Sequence, residues 1–282
     1  MSEKNFVIPH EEDKGPPRLP GVSEMKIYIG TSGYSYDDWR EHYYPRGLNK
    51  NKMLEFYACE FSFVEVNSSY YSLVRPEVFT RLAQKTPPEF VFAVKGYKSF
   101  THERGADVAE DVKKFCYALA PLLEKGKLGT VLLQFPYSFP SRPENRRYLA
   151  SLRDLLGDVP AVAEFRHRSW VREDTWDLLK KLGLGYVCVD EPDLPGLIGR
   201  AVACTGPVAY VRFHGRNREK WWRHEHAYER YDYLYTESEL QEWVPGIQSL
   251  VQQAERVYVA FNNHYRGQAV RNARMLKQML GL

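Results

Sequence analysis

Arg212 and His214 stand two residues apart near the end of the apolar run VAYVRFHGRN, residues 208–217. Side chains at i and i+2 of an extended strand share a face, so the two point the same way. Glu65 with Asn67, Glu164 with Arg166, and Asn262 with His264 repeat that spacing, each at the end of another apolar run. Lys95, Gln134 and the pair Asp190-Glu191 close further runs of the same kind. If those ends meet, Glu65, Glu164, Asp190 and His214 are candidate acid–base residues in a pocket that could separate their pKa values. Lys95, Arg166 and Arg212 would supply charge, while Asn67, Gln134, Asn262 and Asn263 would supply directional hydrogen bonds. That combination suits an anionic or polyhydroxylated ligand. The bland alternative is that Arg166 and Arg212 merely pair with Glu65 and Glu164 where buried strands reach water. Three carboxylates and a histidine could also collect a divalent metal. It is not favoured, because the same arginines neutralise those carboxylates without one; no residue is assigned to a metal, and the cofactor is left unknown.

Bringing such scattered residues together is a task for a parallel barrel, whose strands are sealed along their length and open into a pocket at their carboxyl ends. Eight strand-like runs fall near 26–31, 61–66, 90–95, 130–135, 161–165, 185–189, 208–214 and 257–262. Helical patterns fill most of the gaps, at 50–60, 76–85, 107–125, 142–156, 171–182, 236–253 and 268–280. Pro76 and Pro143 suit first turns, and Thr236 with Glu239 suits a capping box. The stretch EPDLPGLIGRAVACTGP between Asp190 and Val208 is too rich in proline and glycine for a regular helix. The expected fold is therefore an α/β (β/α)8 TIM-type barrel with a degenerate or missing sixth helix. It occupies 25–282, behind a flexible N-terminal tail at 1–24, and 282 residues fit one such barrel of about 250.

Further chemistry is suggested by the last unit and two long connections. Arg266 and Gly267 sit where the final helix begins, so free backbone N–H groups and a guanidinium could hold a phosphate. The segment GTSGYSYDDWREHYYP, 30–45, and the segment RNREKWWRHEHAYERYDYLY, 216–235, are dense in aromatics. The second interleaves Arg216, Arg218, Lys220 and Arg223 with Trp221 and Trp222. Such a mixture stacks rings and neutralises phosphates, or else packs as a lid with a solvated rim.

Composition narrows the setting. Thirty-nine Lys and Arg against 36 Asp and Glu leave a net +3, too weak a bias to imply nucleic acid or an acidic membrane by itself. No apolar stretch approaches the ~20 residues of a membrane span, and no signal-peptide apolar core is present, so a cytoplasmic protein without a membrane partner is expected. Cys59, Cys116, Cys188 and Cys204 are widely spaced and read as buried free thiols.

The motifs GTSGYSYDDW at 30–39, VEVNSSYY at 64–71, VKGYKSFTH at 94–102, LQFPYSF at 133–139, EFRHRSW at 164–170, YVRFHGRN at 210–217, DYLYTESEL at 232–240 and FNNHYRGQAVRNA at 261–273, in this order, resemble the YecE-like proteins. The resemblance spans about 26–280. It implies a TIM-type barrel and carries no established reaction, since the family is classed as a domain of unknown function. Barrels of the xylose isomerase and endonuclease IV superfamily look like distant relatives, but their histidine and carboxylate metal cluster is not reproduced: His214 and His264 alone fall near the mouth. The expected function is an enzyme, a hydrolase or lyase acting on a phosphate-bearing sugar, nucleotide or nucleic acid. In it Glu164 or Glu65 is the base, His214 an acid or electrophile, and Arg166, Arg212 and Lys95 stabilise charge. The alternative is a non-catalytic nucleic-acid-binding barrel that uses the aromatic, basic segment around Arg216 and Trp221 as its surface. A carbohydrate hydrolase comes third, because strands four and seven end in Gln134 and His214 where it would need acids. The partner expected in either leading case is an anionic small molecule or nucleic acid, with the oligomeric state left open.

Overall fold

A computed structural model describes residues 26–282. The tail at 1–24, and Met25 as the start of the barrel, lie outside the described residues. Eight strands pair in parallel and in sequence order, and the eighth returns to the first: β1 (Ile27–Ser32), β2 (Phe63–Val66), β3 (Val91–Lys95), β4 (Leu128–Gln134), β5 (Ala161–Glu164), β6 (Gly185–Asp190), β7 (Val208–Phe213) and β8 (Arg256–Phe261). The connecting helices are α1 (Met53–Ala58), α2 (Ser68–Tyr71), α3 (Pro76–Gln84), α4 (Val108–Glu124), α5 (Pro143–Leu156), α6 (Glu173–Leu182), α7 (Glu237–Gln241), α8 (Val244–Gln253) and α9 (Gln268–Met279). This is the (β/α)8 TIM-type barrel expected from the spacing of the apolar runs. Between β6 and β7 no helix forms across 191–207.

Local chemistry sets the helix ends. Pro76 and Pro143 occupy first turns, where a missing N–H has no intrahelical acceptor to lose. Thr236 caps α7, its hydroxyl accepting from the Glu239 N–H while the Glu239 carboxylate accepts from the Thr236 N–H. The pattern at 236–253 yields two helices rather than one, because the chain turns at Glu242 and Trp243 before Pro245 opens the next first turn.

Strand register decides which side chains face the barrel axis. Ser32 lies beside Glu65, Glu65 beside Ala93, Lys95 beside Leu132, and Gln134 beside Glu164. Val189 lies beside Arg212, and Arg212 beside Ala260. Neighbouring residues in register share a face, so these residues point inward and those one step along point to the helices. The floor of the barrel is filled by aromatic rings: Phe63 and Tyr258 lie 5.0 Å apart, and Tyr258 and Tyr28 5.2 Å. Buried rings seal the axis below the polar layer, so the mouth has no opening to the opposite end.

Candidate active site

Above the aromatic floor lies a layer of ions. The Arg212 guanidinium is almost wholly buried and sits between two carboxylates. It donates through Nε and Nη2 to both oxygens of Glu65, at 2.9 and 2.7 Å, and through Nη1 to Glu164 at 2.6 Å. Tyr210 donates to the same Glu65 carboxylate at 2.8 Å. Burial pulls the Arg212 pKa down, and the two carboxylates outweigh it and raise it. Glu164 is held well below the usual carboxylate range because Arg212, Arg166 and His214 together overcome the cost of burying its charge.

A second tier rests on the first. Arg166 donates to Glu191 at 2.7 Å, and its Nε lies 2.8 Å from Glu164 as an ion contact without hydrogen-bond geometry. Its Nη2 lies within 3.0 and 3.4 Å of both ring nitrogens of His214. A group that close to both cannot lie in the ring plane without striking the carbon between them, so the guanidinium covers the ring face. His214 contacts Glu164 through Nε2 at 3.1 Å and the Asn262 amide nitrogen through Nδ1 at 3.0 Å. A neutral ring with its proton on Nε2 satisfies both, Nε2–H donating to the carboxylate and Nδ1 accepting from the amide. Burial, and then the charge of Arg166, push the His214 pKa well below its ordinary value, in agreement with that neutral ring. Glu191 also accepts from the Ile198 N–H, and burial pushes its carboxyl up to about 7.

These ions floor a cavity of about 500 Å³ that is lined by Tyr34, Tyr36, Asn67, Tyr70, Tyr71, Lys95, Gln134, Arg166, Tyr231, Asn262 and His264, among others. Lys95 rises from the end of β3 with its ammonium 4.5 Å from the centre of the Tyr70 ring. It has no hydrogen-bond or ion-pair partner among the described residues, whereas Arg212 and Arg166 are matched to three carboxylates. Burial, and then the nearby Arg212, lower its pKa to about 8. Asn67 lines the same cavity, and its buried Oδ1 has no hydrogen-bond partner among the described residues. Every oxygen of Glu65 and Glu164 is engaged by a protein partner.

The structure thus brings together Glu65, Asn67, Lys95, Gln134, Glu164, Arg166, Arg212, His214 and Asn262, and holds other expected residues apart. Asp190 faces the helices, where it accepts from Arg216 at 2.9 and 2.8 Å, from Tyr235 at 2.6 Å and from Trp243 at 2.7 Å. It takes Arg216 with it, and Arg216 also meets Glu239 and Glu242. Asn263, one step beyond Asn262, donates to the Tyr233 carbonyl and to Asn272 behind the barrel wall. Arg266 and Gly267 lie at the start of α9 as expected, with Gly267 as a left-handed N-cap, but that start is covered from within the chain: the Asp38 carboxylate accepts from the Arg266 N–H at 2.7 Å. Glu191 occupies the inward place expected of Asp190. Tyr36, Tyr70, Tyr71 and Tyr231 line the cavity as well, and the doublet Tyr70-Tyr71, three residues after Asn67, is the available sequence signal.

Trp221 is buried and lies 5.9 Å from the Arg166 guanidinium, so the segment after β7 closes over the site as a packed lid. Gly215 permits the reversal into it: its φ of +91° is open only to glycine at low cost, and a Cβ there would fall 2.8 Å from the Cβ of Tyr233. Of the lid cations, Arg216 is held by Asp190, Lys220 by Glu229, and Arg230 by the Trp221 carbonyl.

Residues 28–282 match the family model described as protein of unknown function DUF72. UPF0759 protein YunF of Bacillus subtilis (strain 168) is 34% identical over 278 residues, covering 91% of this chain and 95% of that protein. UPF0759 protein YecE of Escherichia coli (strain K12) is 31% identical over 144 residues, 50% of this chain and 48% of that one. Among solved structures, a DUF72 family protein from Thermotoga maritima is 41% identical with a TM-score of 0.84, covering 91% of this chain and 99% of that chain. Another from Enterococcus faecalis is 29% identical with a TM-score of 0.81, at 91% and 96% coverage.

Proposed function

Because the chain belongs to the DUF72 family of proteins of unknown function, its chemistry has to be argued from the mouth of the barrel, and we propose that it is an enzyme, a hydrolase or lyase of a phosphate-bearing sugar or nucleotide. The observation that carries this reading is Lys95, a cation without a counter-ion at the floor of a cavity walled by tyrosines. A half-buried ammonium that lacks a carboxylate partner is stabilised when an anionic ligand arrives, and the ligand's phosphate is the group it would meet. With a pKa near 8 it can also give its proton to a departing oxygen close to neutral pH. Arg166 stands beside it as the second charge. Asn67, Gln134 and Asn262 supply hydrogen bonds to hydroxyls or ring edges.

The acid–base roles shift accordingly. Glu65 and Glu164 fix Arg212, and His214 with Asn262 fixes the plane against which Arg166 lies, so these are positioning residues for the two guanidinium groups. Lys95 is the candidate catalytic residue. A carbohydrate hydrolase would need two carboxylates free to act, and both candidates are committed to Arg212.

The test is calorimetric titration of inorganic phosphate and a mononucleotide panel into the full chain and into Lys95→Met. A charge-assisted contact is worth about 1.5–3 kcal/mol, so the variant is expected to bind roughly 10- to 150-fold more weakly. Equal affinity in the two proteins would remove Lys95 and the reading with it.

A further inference from the structure

Beside the first cavity lies a second of about 360 Å³, and the two share Tyr70, Tyr71, Lys95, Gln134, Arg166 and Tyr231. The cavities adjoin along these shared residues, so they are two ends of one trough with Lys95 and Arg166 where they meet. Both volumes fall in the range of small-molecule sites, ~300–1,000 Å³.

Each end carries its own rings. In the first cavity Tyr36 and His264 stack 4.6 Å apart within 3° of parallel, and Tyr231 lies 5.6 Å from His264. At the second, Tyr137 and Trp222 meet edge to face at 5.5 Å. Around the rim Tyr71 is 71% exposed, Trp222 52% and Tyr137 39%, while Tyr36 and His264 are half-buried. Large aromatics gathered around a mouth with their faces wet point to a ring-bearing ligand.

The charge of the second cavity is one-sided. Among the described residues its lining holds Lys95, Arg166 and Arg230 and no Asp or Glu; Glu164 and Glu191 hold Arg166 from outside that lining, and Lys95 has no such partner. The first holds one carboxylate, Glu65, whose two oxygens Arg212 already takes. An anion therefore belongs at the midpoint, with a ring on either side of it. We infer that the trough takes a phosphodiester flanked by two nucleosides, as in a dinucleotide or the end of a single strand. Its phosphate lies at Lys95 and Arg166, and its rings lie against Tyr36 and His264 on one side and against Trp222 and Tyr137 on the other. This rests on the phosphate-binding reading above and narrows it from a monoester to a diester. Base stacking on aromatic side chains tolerates any base, so no sequence preference is required.

Thymidine 5′-monophosphate, the thymidine dinucleotide and a neutral trisaccharide, titrated separately into the full chain, test the inference. The dinucleotide is expected to bind at least tenfold more tightly than the monophosphate, and the trisaccharide not at all. Trp222→Ala, at a half-exposed site whose truncation leaves the core intact, is expected to weaken the dinucleotide roughly 5- to 150-fold, since one base stack is worth about 1–3 kcal/mol. That would collapse the ratio of the two affinities. A dinucleotide that binds no better than a monophosphate still sensitive to Lys95→Met would overturn the two-ring ligand and leave the phosphate reading standing. Failure of both nucleotides to bind would overturn the two together, and preference for the trisaccharide would replace the diester with a sugar chain.

Discussion

An ammonium that loses water without gaining a carboxylate weakens the fold that holds it and strengthens the ligand that reaches it. Lys95 has a folded pKa near 8 against an ordinary value of 10.5. Below pH 8 both the folded and unfolded chains keep this proton, and the folded state bears the full penalty. Between about 8 and 10.5 the unfolded chain binds more protons, so stability rises with pH across that window. Lys95→Met is therefore expected to raise the thermal midpoint at pH 7, by an amount that shrinks as pH approaches 10.5, while anion binding is weakened. In the unmodified chain, affinity for inorganic phosphate should fall above pH 8 as the ammonium deprotonates, and the variant should lack that step. Denaturation scans paired with titrations at pH 7 and 10 check both. Arg212 behaves in the opposite way. Replacing it with Met strands Glu65 as an unpaired buried charge and leaves Glu164 to Arg166 and His214 alone, and is expected to cost about 3–5 kcal/mol in urea denaturation. The residue types at the mouth were legible in the sequence, down to the pairing of Arg166 and Arg212 with carboxylates. Which cation would be left over was not, because that depends on reach: Arg212 spends its donors on two carboxylates across the barrel, and Lys95 on the third strand meets none.

Strand parity decides which of two adjacent acids enters the site. In β7 and β8 the pairs Arg212 with His214 and Asn262 with His264 gave the inward face directly. β6 offered Asp190-Glu191 without an anchor, since its apolar residues occupy both faces equally. Register supplies one: Val189 lies beside Arg212, so Glu191 turns inward and Asp190 outward. The two acids then have separable effects. Asp190, almost fully buried, fastens the lid segment and α8 to the barrel through Arg216, Tyr235 and Trp243. Asp190→Ala leaves a partly buried guanidinium and two ring donors unmatched, and should lower stability by about 3 kcal/mol or more in urea. Glu191 instead ties Arg166 to the helix-free connection through the Ile198 N–H. Its raised pKa, about 7, means that the folded chain binds more protons than the unfolded one between roughly 4.5 and 7, so its contribution to stability falls as pH rises through that window. Protonation below 7 also loosens its hold on Arg166 and frees that charge for an anion. In a Lys95→Met background, the remaining change near pH 7 in affinity for dimethyl phosphate, a diester whose single charge is constant across the range, should vanish on adding Glu191→Gln, as read by titration from pH 6 to 8.

At the scale of the whole molecule, a closed barrel converts eight distant strand ends into one ring, and the rhythm of apolar runs was enough to see it, including the missing sixth helix. The lid was harder to read. Its alternation of cations and aromatics fits a nucleic-acid surface and a packed cover equally well, because composition does not say whether an arginine meets water or an acid. Packing separates the two: Arg216 and Lys220 are held by carboxylates and Trp221 is buried, which leaves Arg218 and Arg223 exposed with no ion-pair partner among the described residues. No helix among those residues is long and apolar enough to cross a membrane. With a net charge of only +3, long-range attraction is weak, and any dependence on salt must count local contacts. Each phosphate neutralised on a single strand contributes a slope of about −0.7 to log K against log salt. A ligand confined to the trough sets one phosphate at Lys95 and Arg166 and a second at Arg230, a slope of about −1.4; one spread over the lid adds a phosphate each at Arg218 and Arg223 and approaches about −2.8. Titration of a thymidine hexanucleotide, whose five phosphodiesters suffice for either case, between roughly 50 and 200 mM salt is expected to give the shallower value. Arg218→Gln with Arg223→Gln should leave it unchanged, and a slope that flattens in that double variant would move the binding surface from the mouth to the lid.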